Sequence, residues 1–355
     1  MKKTIIISVV SILAIVALFF GVRYFRNSST IDPGNPPPPT TGHLFRTPVL
    51  DKSVVSFWAK GEAVYLVSED GLISKFEGES ETPISDQPVP DLASALPSPD
   101  RNRVLVAFGS RTAPAFSIFD ISADQWTPLP AGTVSAAWSP SGTEVAYLTE
   151  STSNLTLATM VVATSKKTEL MRLSGGDFSL AWVVPKKIYL KNKPSARYPV
   201  ELWSFDIAKR ALDPLLLSEP GLDMKWSPSG TSAIMFTNSR EENRLALTNH
   251  TGTLIAVLPF QTVPEKCIVV SDSSGYCAVP QFIPEGTLLP DDFLTGKIKF
   301  SDRIIYWEVS GSVSITEVYT PESVPIDAIG LSVSDKKIRF INRYDKKVYE
   351  IQIQN

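Results

Sequence analysis

Hydrophobic positions along the chain fall into two regimes. The first is a continuous run, Ile5 to Val22, free of charge and preceded by Lys2 and Lys3. As a helix such a run spans about 27 Å, close to the ~30 Å hydrocarbon core of a bilayer. It ends Phe-Phe-Gly-Val-Arg, bulky where a signal peptidase requires small side chains. The pattern therefore predicts an uncleaved transmembrane anchor over residues 1–26, with the rest of the chain outside the cytoplasmic membrane. Residues 27–42, with prolines at 36 to 39, predict a semi-rigid polyproline linker.

The second regime begins near residue 43. Short apolar, β-prone runs recur, VYLV, VLVAF, VAYLT, KIYLK, AIMFT, YCAVP and IRFIN, each after a turn rich in Ser, Pro, Asp and Gly. The clearest copies are Trp138-Ser-Pro-Ser-Gly142 and Trp226-Ser-Pro-Ser-Gly230, 88 residues apart, with Trp182 midway between them. Weaker copies fall near residues 58, 97, 270 and 331. A period of about 44 residues holds four strands, a to d. Such a unit cannot bury both faces alone, and radial stacking against its neighbours solves the problem. The expected fold is all-β, a seven-bladed propeller over residues 43–355, with six or eight blades as alternatives. The last copy stops after strand c, so residues 43–48 are expected to supply its outer strand and close the ring.

WSPSGTEVAYLT and WSPSGTSAIMFT resemble the WD40-like repeats of TolB-type propellers, whose turn reads Trp-Ser-Pro-Asp-Gly. The stretch YCAVPQ…LPDDFLTGKIKFSD is similar to uncharacterised membrane-anchored bacterial propeller proteins. The resemblance implies a propeller scaffold without implying an activity. Ser141 and Ser229 stand where the family pattern has aspartate.

Charge and composition narrow the function. With 34 basic and 37 acidic side chains the net charge is −3, and residues 27–355 carry −7 because the first 26 hold four basic groups and no acid. That balance argues against a phosphate-tracking surface, so no nucleic-acid partner is expected. Two histidines and two cysteines do not make a histidine-built metal centre or a zinc ribbon, and neither metal nor cofactor is expected. Cys267 and Cys277 flank the a–b turn of blade six, where antiparallel register sets them opposite each other, and they are expected to form a disulfide.

The repeat breaks once. Blade six carries an excess of 17 residues between strands b and c, at about 283–302. In an up-and-down blade this places the insertion on the face bearing the other b–c loops and the d–a crossovers. Long loops on rigid scaffolds often carry function, so Glu285, Asp291 and Asp292 are binding candidates, with Arg197 and Tyr198 of the blade-four b–c loop on the same face. Trp58, Trp138, Trp182 and Trp226 end the a-strands and are expected to pack between blades. Neither a nucleophile elbow nor a P-loop nor a dinucleotide fingerprint occurs, and no catalytic residue is assigned. The expected function is a membrane-anchored scaffold binding a protein, peptide or envelope polymer. Two alternatives remain: a carboxylate-based hydrolase or lyase, and a structural subunit recognised through its blade edges.

Overall fold

The computed structural model describes residues 48–49, 51–78, 80–110, 113–152, 154–239, 242–322 and 324–353. Seven antiparallel sheets follow one another along the chain. Blade one is β1 (Val54–Lys60), β2 (Ala63–Ser68), β3 (Ile73–Glu77) and β4 (Ser80–Pro83). Blade two is β5 (Leu92–Pro97), β6 (Arg103–Ser110), β7 (Ala113–Asp120) and β8 (Gln125–Pro128). Blade three is β9 (Thr133–Trp138), β10 (Glu144–Ser151), β11 (Asn154–Val161) and β12 (Lys166–Leu173). Blade four is β13 (Phe178–Val184), β14 (Lys187–Asn192), β15 (Leu202–Asp206) and β16 (Ala211–Leu216). Blade five is β17 (Asp223–Trp226), β18 (Ser232–Ser239), β19 (Glu242–Asn249) and β20 (Leu254–Leu258). Blade six is β21 (Cys267–Ser271), β22 (Ser274–Pro280), β23 (Asp302–Ser310) and β24 (Ser312–Tyr319). Blade seven has β25 (Ala328–Ser334), β26 (Lys337–Asn342) and β27 (Lys347–Gln352).

Each sheet runs in sequence order, so every blade is an up-and-down meander. The seven a-strands coincide with the seven sequence copies. The ring-closing segment expected at residues 43–48 lies outside the described residues except for Pro48. Beside it, the Val49 N–H donates to Val348 O of β27 at 2.8 Å, on the edge where a fourth strand would lie. Residues 5–22 and the polyproline linker also lie outside the described residues. Among the described residues no helix is long and apolar enough to cross a membrane.

The core is divided among the seams between blades. Leu105 and Ile118 of blade two join Trp138, Val145, Tyr147 and Met160 of blade three in one buried cluster. Leu148 and Leu157 of blade three join Trp182, Ile188, Leu190 and Phe205 of blade four. Side chains on both faces of the b and c strands are therefore apolar, as β6 and β10 show with Val104-Leu105-Val106 and Val145-Ala146-Tyr147-Leu148. Trp58, Trp138 and Trp182 are buried in these seams, and Trp226 lies half-buried against Tyr189 with ring centres 5.4 Å apart. The Trp138 indole N–H crosses a seam to Leu96 O at 2.9 Å. These rings fill space between blades, as a large apolar body on an a-strand must.

The a–b turns explain the serines at the aspartate position. In blade two the carboxylate of Asp100 accepts from the Ser98 hydroxyl at 2.6 Å and from the Asn102 N–H at 3.1 Å. In blade three Ser141 takes that place, sharing a hydrogen bond with Thr143 at 2.7 Å and another with Ser139 at 3.2 Å. In blade five Ser227 and Ser229 both donate to Asp272, which comes from the a–b turn of blade six. The neighbouring blade thus supplies the missing carboxylate. Gly142 and Gly230 close these turns at φ +70° and +73°, a region that disfavours any side chain.

Blade six is stapled. Cys267 and Cys277 are register partners with Cα atoms 4.1 Å apart, joined by a disulfide and fully buried. At Gly275, opposite Val269, an added Cβ would lie 2.3 Å from Ile268 O and 2.8 Å from the Trp307 ring. Only glycine admits the fully buried Trp307 there.

Candidate functional site: the insertion face

The excursion between β22 and β23 occupies residues 281–301, slightly earlier than the sequence period suggests. Its one regular element is a single helical turn, α1 (Asp291–Leu294). Leu289, Phe293 and Phe300 are buried, and Ile283 and Ile298 pack against the same cluster as Phe236, Leu258, Trp307 and the disulfide. The insertion is therefore part of the core of blades five and six.

Polar bonds fix it to three other blades. Asp291 accepts from the Ser195 hydroxyl at 3.0 Å and the Ala196 N–H at 2.7 Å, both on the blade-four b–c loop. The Asn238 side chain of blade five donates to Leu289 O at 3.2 Å. Arg343, in the b–c turn of blade seven, donates to Phe293 O at 3.1 Å and Ile298 O at 3.3 Å, and its guanidinium lies 4.3 Å from the Phe293 ring centre. Asp292 is engaged locally: it accepts from the Leu288 N–H at 3.0 Å and from Lys297 Nζ at 2.9 Å. The Lys297 bond, followed by the Leu288 N–H, holds the Asp292 carboxyl below the usual carboxylate range.

Under the insertion lies a buried ion cluster. Lys266, Asp302 and Asp327 are all fully buried. Lys266 Nζ is 2.6 Å from Asp302 and 2.5 Å from Asp327, and Arg343 meets Asp327 at 2.9 Å. The Phe293 and Phe300 rings sit 5.4 and 5.6 Å from Lys266 Nζ. Two cations and two anions balance. Asp302 Oδ2 also accepts from the Ala328 N–H at 2.7 Å, while Oδ1 has no hydrogen-bond partner among the described residues. Burial, only partly opposed by Lys266, pushes the Asp302 carboxyl up to about 6.

The structure thus brings Arg197, Tyr198, Glu285, Asp291 and Asp292 to one face, but gives them unequal roles. Asp291 ties the insertion to blade four, and Asp292 braces it from within. Glu285, Arg197 and Tyr198 are exposed. Sequence reasoning did not single out Lys266, Asp302, Asp327 or Arg343, whose partners lie 16 to 61 residues apart. It also passed over Phe282, Leu294 and Tyr344. With Tyr198 these are 72%, 49%, 44% and 71% exposed, a set of large apolar side chains on the b–c loops of blades four, six and seven. Lys299 Nζ lies 5.3 Å from the Tyr344 ring centre.

A second concavity, of about 740 Å³, lies between blades seven and one, next to Pro48 and Val49. Its charged groups largely satisfy one another. Arg339 and Lys337 both meet Glu350 at 2.9 Å, and Arg339 also donates to Ser334 at 2.8 Å. Among the described residues no group of three or more His, Cys, Asp or Glu side chains is placed to hold a metal.

The sequence matches no family model and no curated protein. Among solved structures, the tricorn protease is 11% identical with a TM-score of 0.55, covering 91% of this chain, which spans only 35% of the protease. An oligogalacturonate lyase in complex with manganese is 9% identical with a TM-score of 0.58, over 82% of this chain and 86% of its own. TolB from Acinetobacter baumannii is 13% identical with a TM-score of 0.48, over 77% of this chain and 64% of its own. At such identities the likeness to the protease and the lyase is one of fold alone. The chain is a seven-bladed β-propeller.

Proposed function

We propose that this protein is a membrane-anchored, extracytoplasmic propeller that binds a protein partner on its insertion face and performs no catalysis itself. One observation carries the reading. The insertion is bolted to blades four, five and seven, and its exposed Phe282 and Leu294, with Lys297 and Lys299, share a face with exposed Arg197 and Tyr198 of blade four and Tyr344 of blade seven. Aromatic side chains and arginine are the residue types that protein interfaces concentrate, and a preordered surface binds at a lower entropic cost. Asp291 and Asp292, the paired carboxylates on this face, are taken up by hydrogen bonds to blade four and within the insertion. The apolar run at residues 5–22 supports the anchor, and its orientation follows the sequence argument.

The test is partner retention by the full-length protein in native membranes. Alanine at Tyr198 and Phe282 together, both far from the core, should reduce crosslinked partner by about tenfold or more with the melting temperature unchanged. Retention of the partner in that variant, with loss on substitution of the opposite face, would refute the assignment.

A further inference from the structure

The outer strands of the blades form an internal comparison. An exposed strand edge invites pairing with another chain, and proteins guard it with charge or proline. Outer strand β4 carries Glu81 and Pro83, β8 carries Pro128, and β12 carries Lys166, Lys167, Glu169 and Arg172. Likewise β16 carries Asp213 and Pro214, and β24 carries Glu317, paired to Arg303. Strand β20 breaks the pattern. Its sequence is Leu-Ile-Ala-Val-Leu, with Leu254 48%, Ile255 52% and Val257 46% exposed. Among the described residues it pairs on one side only, with β19.

We propose that β20 pairs with β20 of a second copy of this chain, antiparallel about a two-fold axis, joining two blade-five sheets into one eight-stranded sheet. The occupant follows from charge. An antiparallel edge that meets its own copy brings the residues nearest the axis beside their twins, so a charge there would repel itself. Residues 249–264 contain no Asp, Glu, Lys or Arg, in a chain where these make up 20%. Centring the axis on Ala256 sets Ile255 of one copy opposite Val257 of the other, and two apolar surfaces leave water together. The contact is small by the standard of stable interfaces, so the dimer is weak and concentration-dependent. The pairing is independent of what binds the insertion face, because it uses the rim of the ring.

The chain has two cysteines, both in the disulfide, so an introduced thiol reports alone. Full-length protein bearing Ala256→Cys, oxidised under mild conditions, should form a disulfide-linked homodimer about tenfold faster than the Lys167→Cys control on the guarded β12 edge. Adding Val257→Lys to Ala256→Cys should slow the reaction to the control rate with the melting temperature unchanged. Equal rates for Ala256→Cys and the control, insensitivity to Val257→Lys, or capture of a different protein at position 256 would each overturn the proposal. Loss of partner binding at the insertion face, with this dimer intact, would count only against the function proposed above.

Discussion

Replacing Lys266 by methionine isolates the physics beneath the insertion. The ammonium is fully buried and lies 2.6 Å from Asp302 and 2.5 Å from Asp327. Methionine fills most of the volume and removes the charge, leaving two buried carboxylates with Arg343 alone. Breaking a buried ion pair by deleting one partner costs about 3–5 kcal/mol, a large share of the ~5–15 kcal/mol that holds a domain folded. The sign of the pH dependence follows from Asp302. Its carboxyl is already raised from 3.8 to about 6, which corresponds to roughly 3 kcal/mol. A carboxyl raised on folding contributes stability that is full below the unfolded value and is lost as pH rises through the folded one. Without Lys266 that folded value climbs further, because the ammonium's charge and hydrogen bond, which partly oppose the burial, are gone. The variant should therefore lose more stability at pH 8 than at pH 5, as followed by tryptophan fluorescence in urea. Lys266→Met with Asp302→Asn should recover most of the loss at pH 8. A loss under about 1 kcal/mol, an equal loss at both pH values, or a double variant no better than the single one would refute the reasoning.

Three further outcomes follow from the same structure. Asp272→Ala removes the acceptor shared by Ser227 and Ser229 and should cost about 1 kcal/mol, given its exposure. The serine bonds hold the Asp272 carboxyl low, so its contribution should fade as pH falls through that lowered value, as read by urea unfolding of wild type and variant. Serine at both Cys267 and Cys277 should cost about 2–3 kcal/mol for so short a loop, and melts under reducing conditions should reproduce the shift in wild type. Asp291→Ala should leave the ring folded but free the Ser195–Ala196 tether, so amide exchange at Ala196 should quicken while that of β22 and β23 stays slow.

The propeller was legible because its information is local and repeated. A turn such as Trp138-Ser-Pro-Ser-Gly142 sets strand direction within a few residues, and Trp226 to Gly230 repeats it. The position of the insertion was legible for the same reason, as a break in a period. The Cys267–Cys277 register needed only the symmetry of a hairpin. What the insertion rests on was not legible. Lys266, Asp302 and Asp327 belong to one crossover, one strand start and another crossover, and nothing in their neighbours announces that they meet. Asp291 and Asp292 looked like ligand groups because a Pro-Asp-Asp turn on a long loop suggests exposed charge. The Ser195 hydroxyl and Ala196 amide that occupy Asp291 lie 95 residues earlier or more, out of reach of any local pattern. The exposed Phe282 and Leu294 were hidden by the opposite effect, since an apolar residue near Leu289 and Phe293 reads as core.

The most direct test of the central claim is a positional crosslinking map in native membranes. A photoreactive amino acid placed singly at Tyr198, Phe282, Leu294 and Tyr344, and at Trp126 and Lys209 away from that face, reports which surface touches a partner. One common protein adduct is expected from the first four positions and none from the other two. An adduct formed equally from Trp126 or Lys209, or from none of the four b–c loop positions, would contradict it.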